Sequence, residues 1–270
     1  MNYELIDSGE GRRLEKFGDY ILDRPDPEVL WKKTLSEEKW QEANAIFKDK
    51  WISKDVPEKW QMEHEGIKFW CKLAPFKHTG VFPEQSLQWE YIFKQLKDKG
   101  ANILNLFAYT GIATLFAANA GAKVTHVDAS KPAITWANEN RELNEMQNLP
   151  IRWIVDDALK FVEREIKRGI KYDAIIMDPP VYGHAPNGEV WDFNKDFPRL
   201  LESCRKILND NPLFVLVNAY AISSSSITLA NTLQGSFGDL GGKIENGELT
   251  LKETSGGRLL STGIWAKWCK

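Results

Sequence analysis

The fold is decided by Ile103-Leu104-Asn105-Leu106-Phe107-Ala108-Tyr109-Thr110-Gly111, followed by Ile112-Ala113-Thr114-Leu115-Phe116-Ala117-Ala118-Asn119-Ala120-Gly121. This stretch predicts a short apolar strand, a tight turn that ends at Gly111, and an Ala-rich helix that ends before Gly121. A second apolar run, Lys123–Val127, leads directly into Asp128. Because ligands of open α/β sheets bind at the carboxyl ends of the strands, the turn and the carboxylate predict a nucleotide-type site at one edge.

The composition of the turn selects among nucleotide ligands. Dinucleotide sites use several glycines so that backbone amides can approach a pyrophosphate, but this turn offers only Gly111, beside Phe107 and Tyr109. The chain also lacks a Gly-Lys-Ser/Thr phosphate loop. Asp128 is placed to accept both hydroxyls of a ribose, and each charged hydrogen bond contributes about 1.5–3 kcal/mol. A carboxylate that binds ribose, without a loop that binds a diphosphate, favours S-adenosylmethionine as the ligand over NAD or ATP. The alternative is that this stretch binds no ligand and is an ordinary turn of a core sheet.

Length and charge set limits on the class of protein. The chain has 270 residues, enough for one large domain with an appendage or for two small domains. Its net charge of -3 provides no overall basic field, so a nucleic-acid substrate requires a local patch. The three cysteines, Cys71, Cys204 and Cys269, have no metal-ligand spacing, and their odd number is typical of a reducing compartment. With no signal-peptide pattern and no apolar run that could span a bilayer, we expect a cytoplasmic protein without a metal site.

Residues 1–80 predict a small α+β appendage, ahead of a sheet domain over residues 81–270. Tyr3–Asp7 and Arg13–Phe17 predict a hairpin, and Trp60–Glu63 and Ile67–Cys71 predict a second one. The apolar periodicity of Ser36–Phe47 predicts a helix. The tryptophans of the appendage could stack on bases or fill a small core, and both alternatives are open; they are Trp31, Trp40, Trp51, Trp60 and Trp70.

A polar, Gly-containing loop, residues 75–85, joins the two regions. A loop just before the first central strand can cover a ligand, and Thr79 and Gln85 could bond its polar end. A plain linker is the alternative. Pro83 predicts the start of a helix that ends before Gly100.

The strand–helix alternation continues beyond Asp128. Ser130-Lys131-Pro132 predicts a helix start, and the strand Ile151–Val155 ends at Asp156-Asp157-Ala158. Asp157 could accept the exocyclic amine of an adenine, with Ala158 leaving room for the ring. It could equally be the N-cap of the following helix. The sequence leaves both roles open.

The fourth strand, Tyr172–Met177, ends at Asp178-Pro179-Pro180-Val181-Tyr182-Gly183. The prolines donate no backbone hydrogen bond and do not continue the strand, so the carbonyls at its exit are exposed. Asp178 and a proline carbonyl then form an acceptor cluster for an amine or a ring N–H, and Tyr182 could stack on a base. A rigid strand exit without a chemical role is the alternative.

The remaining chain completes an α/β sheet. Asp196–Leu208 predicts a helix and Pro212–Asn218 a fifth strand. The alternating segment Arg258–Trp268 returns without an intervening helix, which indicates an antiparallel strand at the edge of an otherwise parallel sheet.

Four segments in this order resemble a class I S-adenosylmethionine-dependent methyltransferase: Phe-Ala-Tyr-Thr-Gly, Val-Asp-Ala-Ser, Asp-Asp-Ala-Leu-Lys-Phe and Asp-Pro-Pro-x-Tyr-Gly. Over about residues 60–268 the chain is most similar to the large-subunit ribosomal RNA methyltransferases, which include cytosine-5 enzymes. The resemblance implies a Rossmann-like sheet, the cofactor S-adenosylmethionine, and RNA as partner. It implies catalytic roles for Asp178, which would face the methyl group, and for Pro179, Pro180 and Tyr182. The cofactor-binding residues that it implies are Lys77, His78, Thr79, Gly80, Gln85, Tyr109, Thr110, Gly111, Asp128, Ala129, Ser130, Asp157 and Ala158.

The sequence departs from the cytosine-5 enzymes in two ways. We expect it to lack their N-terminal PUA RNA-binding module, for which the sequence is too short at that end. Their nucleophilic cysteine follows the fifth strand, where this chain reads Asn218-Ala219-Tyr220-Ala221. Without that cysteine, we expect direct methyl transfer to a nucleobase nitrogen in RNA, with an oxygen as the alternative acceptor atom. The alternatives are methylation of a small molecule or protein, and cofactor binding without catalysis. The sequence leaves open whether the protein is a monomer or a homodimer.

Overall fold

A computed structural model describes residues 1–184, 190–220 and 223–270, with only the backbone of His184. The chain forms two compact units. The first contains Met1–Ser86 and Thr250–Thr262, and the second contains Leu87–Leu249 and Gly263–Lys270. The domain boundary near residue 80 stays a prediction.

The first unit is built around a five-stranded sheet in the order β1-β2-β3-β4-β5, with β6 and β7 as a separate hairpin. Both hairpins predicted from the sequence are confirmed, and Glu65 and Gly66 form the tight turn of the second with positive φ angles. The elements are β1 Tyr3–Gly9, β2 Arg12–Phe17, β3 Tyr20–Pro25, α1 Glu37–Trp40, β4 Ala45–Phe47, β5 Trp51–Ser53, β6 Trp60–His64, β7 Ile67–Cys71 and the 3₁₀ turns Pro75–Lys77 and Pro83–Gln85.

The helix predicted over Ser36–Phe47 is wrong beyond its first turn. The helix α1 ends at Trp40, and Ala45–Phe47 is instead a strand parallel to β3. Asn44 explains the change, because its backbone N–H donates to the Ile21 carbonyl at 2.7 Å and its Oδ1 accepts the Ile21 N–H at 2.8 Å. Tertiary pairing therefore overrides the helical periodicity.

The tryptophans of the first unit pack inward. Trp40 and Trp60 are buried, and Trp31, Trp51 and Trp70 are half-buried. The indole N–H of Trp40 donates to Asp7 Oδ2, and that of Trp51 donates to the Ala74 carbonyl. These contacts favour the core-filling alternative over base stacking.

The segment Thr250–Thr262 is part of the first unit although it is far from it in sequence. Leu251 and Leu260 pack in one apolar cluster with Leu5 and Val29. Within this segment, Arg258 donates through Nε to Glu253 Oε2 at 2.7 Å. The late segment therefore completes the core of the early one.

The second unit contains most of the sheet that carries the candidate site, whose strand order is β10-β9-β8-β11-β14-β16-β15. The strands β10, β9, β8, β11 and β14 are parallel, and β16 is antiparallel to β14. The predicted fold class is thus confirmed. The elements are α2 Ser86–Leu96, β8 Asn102–Leu106, α3 Ile112–Asn119, β9 Lys123–Asp128, α4 Lys131–Leu143, β10 Ile151–Val155, α5 Ala158–Arg168, β11 Ala174–Met177, β12 Tyr182–His184, β13 Val190–Asp192, α6 Phe193–Ile207, β14 Phe214–Ala219, α7 Ser226–Phe237, the 3₁₀ turn Gly238–Leu240, β15 Lys243–Lys252 and β16 Leu259–Cys269.

Helices cover both faces of this sheet. On one face, α5, α6 and α7 pack against alternate residues such as Leu106, Met177 and Val217. On the other face, α2 and α3 pack against Ile176 and Leu216. Because both faces are buried, the carboxyl edge of the sheet is where polar groups reach a ligand.

Two helix starts differ from the sequence predictions. Pro83 begins a 3₁₀ turn, and the α-helix α2 follows from Ser86. The helix α6 begins at Phe193 and not at Asp196, because Asp192 caps it by accepting the Lys195 N–H at 3.2 Å. Asp196 supports that cap by accepting the Asp192 N–H at 3.0 Å.

Across the described ranges 1–184, 190–220 and 223–270, no helix combines the length and apolar character needed to cross a membrane.

Candidate active site

The turn after β8 adopts an unusual backbone conformation. Phe107, Tyr109 and Gly111 have φ angles of 52°, 47° and 80°. For a residue with a Cβ, a positive φ of this kind costs about 1–2 kcal/mol. Contacts with neighbouring residues must therefore stabilise the turn. The Ala108 N–H donates to the Val127 carbonyl at 3.1 Å, and the Tyr109 N–H donates to Asp128 Oδ2 at 2.8 Å. The end of β9 therefore fixes the turn after β8.

Asp128 lies at the predicted edge of the sheet and contacts the turn. Its Oδ2 accepts from Tyr109, and its Oδ1 accepts the Ser130 N–H at 2.8 Å. Burial raises the pKa of this carboxyl above its usual value, and hydrogen bonds from the two backbone N–H groups only partly oppose the rise. Since a carboxylate oxygen can accept about two hydrogen bonds, each oxygen keeps capacity for one ribose hydroxyl. The chemistry of this acceptor therefore fits the adenosine part of S-adenosylmethionine.

A buried polar network lies beneath the turn, which the sequence did not predict. Asn105 Nδ2 donates to Thr114 Oγ1 at 2.9 Å, and Thr114 Oγ1 lies 2.9 Å from His126 Nδ1. Burial lowers the pKa of His126 to about 3, so the ring is neutral at pH 7. A Cβ on Gly111 would lie 2.9 Å from the Ala137 Cβ, which explains why the turn ends on glycine.

Helix caps follow the next two strand ends. Ser130 Oγ accepts the Ala133 N–H at 3.3 Å, and Asp157 Oδ1 accepts the Lys160 N–H at 2.9 Å. The capping role of Asp157, one of the two alternatives, is therefore confirmed. A contact of its carboxylate with adenine stays a prediction, as do the contacts of Ala129 and of the buried Ala158.

The Asp178-Pro179-Pro180 exit lies beside the turn in the sheet. The Asp178 N–H points to the Leu106 carbonyl at 3.4 Å, and Asp178 itself is half-buried. Pro179 is buried, whereas Pro180 is exposed. The Pro180 carbonyl already accepts one hydrogen bond, from the Trp191 indole at 2.7 Å. This partner was not foreseen from the sequence.

A short hairpin of β12 and β13 extends from this exit and carries Tyr182. Tyr182 pairs with Asp192 across the hairpin, and its side chain is 56% exposed, which leaves surface for a planar ligand. Trp191 is buried and packs against Phe107 at a ring distance of 4.9 Å. The hairpin thereby connects the Asp178 exit to the turn after β8. The hairpin tip, residues 185–189, and the His184 side chain lie outside the described residues.

The loop predicted to cover the cofactor belongs to the first unit. Lys77 has a φ of 65°, and Arg24 holds it by donating to its carbonyl at 3.1 Å. Burial and the cations Arg24 and Lys77 lower the pKa of His78 to about 4, so this ring is neutral at pH 7. Thr79 is fully buried, and no donor or acceptor among the described residues bonds to its Oγ1. Such an atom fits a ligand contact.

Gly80 and Gln85 complete that loop. Gly80 has a φ of 91°, and Gln85 ends the 3₁₀ turn Pro83–Gln85. The contribution of these residues, and of Lys77, His78 and Thr79, to cofactor binding stays a prediction.

Cysteine chemistry has no support at this edge among the described residues. Cys71, Cys204 and Cys269 are all buried, and burial raises the pKa of the Cys71 and Cys204 thiols. Cys269 pairs with Phe214 at the start of β14, the opposite edge from the strand ends. The end of β14 carries Asn218, and Ala221 lies outside the described residues.

The comparison with protein families agrees with this geometry. A family model described as S-adenosylmethionine-dependent methyltransferase matches residues 38–235. The chain belongs to this family. As a methyltransferase it uses S-adenosylmethionine as cofactor.

Two curated relatives of this methyltransferase carry the name ribosomal RNA large subunit methyltransferase K/L. It is 36% identical over 159 residues to the ribosomal RNA large subunit methyltransferase K/L of Pseudoalteromonas translucida, covering 58% of this chain and 22% of that one. The corresponding enzyme of Shewanella frigidimarina is 35% identical over 158 residues, with coverage of 58% and 22%. The chain thus spans about a fifth of the length of the curated relatives it matches.

Solved structures share the fold. A SAM-dependent methyltransferase from Agrobacterium tumefaciens is 40% identical, with a TM-score of 0.96 and coverage of 100% of this chain and 90% of that one. SMU.776, crystallised in complex with SAH, has a TM-score of 0.74 at 19% identity, with coverage of 99% and 75%, and this likeness concerns the fold alone.

Proposed function

We propose that this methyltransferase modifies a nitrogen of a nucleobase in RNA, with large-subunit ribosomal RNA as the substrate. The observation that carries the proposal is the Asp178-Pro179-Pro180 exit, which combines a half-buried carboxylate with the exposed ring of Tyr182. A carboxylate beside an exposed aromatic ring suits a planar base that bears N–H groups. The names of the curated relatives support RNA as the substrate.

Asp128 and the turn around Tyr109 and Gly111 would hold the adenosine part of the cofactor. When bound, S-adenosylmethionine supplies a methyl group on a positively charged sulfur. Asp178 would accept an N–H of the attacking nitrogen. This hydrogen bond would orient the lone pair of the nitrogen toward the methyl group of the cofactor. Transfer would form a C–N bond as the C–S bond breaks, and the proton of the nitrogen would leave to water. The protein contributes alignment and exclusion of solvent.

The surroundings of the cysteines favour a nitrogen over cytosine C5 as the acceptor. Covalent attack on a pyrimidine ring requires an accessible thiolate. Each cysteine of this chain is buried, and the described end of β14 offers the amide of Asn218. Free cysteines also support the cytoplasmic location that we propose.

The test is to incubate the protein and methyl-labelled S-adenosylmethionine with unmodified large-subunit ribosomal RNA, and separately with a protein extract and a small-molecule extract. We expect label in RNA, in a nucleoside whose methyl group is on nitrogen. Label in protein or in a small molecule would contradict RNA as the substrate. Label on cytosine C5 would contradict methyl transfer to nitrogen.

A further inference from the structure

Asn218 lies beside Asp178 at the carboxyl edge of the sheet. Val217 of β14 pairs with Met177, the last residue of β11. Asn218 and Asp178 are the residues that follow this pair along the chain. By the alternation of a strand, Asn218 shares a face with Leu216, which packs in the cluster formed with α2 and α3. Asp178 continues the same face from Ile176. Two oxygen-bearing side chains therefore lie next to each other at the carboxyl ends of β11 and β14, on one face of the sheet.

Asn218 is 4% exposed, and no described residue donates a hydrogen bond to its Oδ1. A buried acceptor without a donor costs about 1–3 kcal/mol, and native proteins contain few of them. Other buried polar atoms among the described residues also lack a partner, but Asn218 Oδ1 lies at the edge where the proposed function places the methyl acceptor. Such an atom is expected where a ligand supplies the missing donor.

Gln88 is a second buried amide on the same face of the sheet. It is 9% exposed, and neither its Oε1 nor its Nε2 has a partner among the described residues. It occupies the stripe of α2 that continues through Ile92 and Leu96, both in the cluster with Leu216. Because α2 leads directly into the start of β8, its first turn lies toward the carboxyl edge. Gln88 therefore lies toward the edge that carries Asn218.

We propose that Asn218 is a specificity-determining residue that accepts an N–H of the methyl acceptor, with Gln88 as a further contact to the same ligand. The inference rests on the proposed function. Two neighbouring acceptors, the Asp178 carboxylate and Asn218 Oδ1, match the two N–H groups of an exocyclic amine. A ring nitrogen presents at most one N–H, and a hydroxyl presents one. The site thus selects an amino-bearing base, and the nitrogen of its amino group is the atom that becomes methylated.

The test compares wild type with Asn218→Ala and Asn218→Asp. Methyl transfer is measured on unmodified large-subunit ribosomal RNA transcribed in vitro, and calorimetry measures the affinity for S-adenosylhomocysteine. We expect Asn218→Ala to lower kcat/KM for RNA about 10–100-fold while the Kd of the cofactor product stays within about twofold. Asn218→Asp keeps an acceptor oxygen, so it should recover most of the loss.

Asn209→Ala is the matched control, because Asn209 bonds to Asp173 at the opposite edge of the sheet. It should lower thermal stability without changing kcat/KM for RNA. Gln88→Leu keeps the apolar stripe of α2 and should raise the KM for RNA, again without weakening cofactor binding.

Three results would overturn the inference: Asn218→Ala with wild-type RNA kinetics, a tenfold loss of cofactor-product affinity in that variant, or label on a ring nitrogen. Failure of the proposed function is distinguishable, because the wild-type protein itself would then leave RNA unlabelled.

Discussion

The two halves of the carboxyl edge in the second unit satisfy their polar groups in different ways. At the end of β9, both oxygens of Asp128 accept backbone N–H groups from Tyr109 and Ser130. At the end of β14, the buried Oδ1 of Asn218 has no donor among the described residues. Backbone N–H groups therefore already donate to the carboxylate of Asp128. The Asn218 acceptor lacks a donor among the described residues, and a ligand would have to supply it.

This difference separates two tasks. The cofactor is the same in every turnover, so a preorganised turn reduces the entropy that is lost when the cofactor binds. Selection of the methyl acceptor benefits from groups that are unpaired until the correct partner binds, because a wrong partner leaves them buried and unsatisfied. Substitutions in each half should therefore affect different measurements.

The largest effect is expected at Asp178. Asp178→Ala should lower kcat for RNA methylation about 10²–10³-fold, since it removes the carboxylate that aligns the attacking nitrogen. Binding of S-adenosylhomocysteine, measured by calorimetry, should stay within about twofold. Asp192→Ala is a control in the adjoining hairpin, where it removes the N-cap of α6 and should mainly lower stability. Full turnover of Asp178→Ala would contradict the assignment.

Asp128→Ala should produce the opposite pattern and weaken binding. We expect about a hundredfold higher Kd for S-adenosylhomocysteine, or about 3 kcal/mol, because the ribose contacts and the support of Tyr109 are lost together. Asp173→Ala is matched to it, since Asp173 also accepts a backbone N–H, from Asn102 at 2.7 Å, but at the other edge. An unchanged Kd in Asp128→Ala would remove the distinction between the two halves.

Gly111→Ala tests whether the turn after β8 is held in its conformation by close packing. The added Cβ would meet Ala137 at 2.9 Å in a residue with a φ of 80°, and we expect about 2–3 kcal/mol lower stability in urea denaturation. Gly121 is the matched position, with a φ of 90° and no atom within 4 Å of an added Cβ. Gly121→Ala should therefore cost about 1 kcal/mol from backbone strain alone. Equal losses would argue against close packing beneath the turn.

The smallest effect is expected at Asp157 and addresses its two roles. Asp157→Ala should lower stability by about 1 kcal/mol through loss of the cap of α5, and Asp157→Ser should restore it. If the carboxylate also binds adenine, both variants should lose about tenfold in affinity for S-adenosylhomocysteine. Wild-type affinity in both would leave Asp157 with the capping role alone.

The sequence predicted the parts of the fold that depend on local pattern. The strand, turn and helix around Gly111 and the carboxylate at Asp128 follow from apolar periodicity and from the breakers that end each element. The helix assigned to Ser36–Phe47 failed because a distant strand, through Ile21, competes for the backbone of Asn44. Periodicity contains no information about such a partner.

The site was predictable only where its residues follow strand ends. The hairpin that carries Trp191 gave no sequence signal, since its strands are three residues long. Gln88 did leave a signal, because a polar residue stands four positions before Ile92 on an apolar stripe. Asn218 Oδ1 lacks a donor among the described residues because of how distant elements pack around it, and the local sequence pattern contains no information about that packing.

The late segment Thr250–Thr262 has a consequence for any attempt to divide the protein. Leu251 and Leu260 belong to the same core as Leu5 and Val29, so a fragment that begins at residue 87 would leave them exposed to water and prone to aggregation. During synthesis, the first unit cannot close its core until residues beyond 250 have left the ribosome. The amino-terminal unit is therefore made first and completed last.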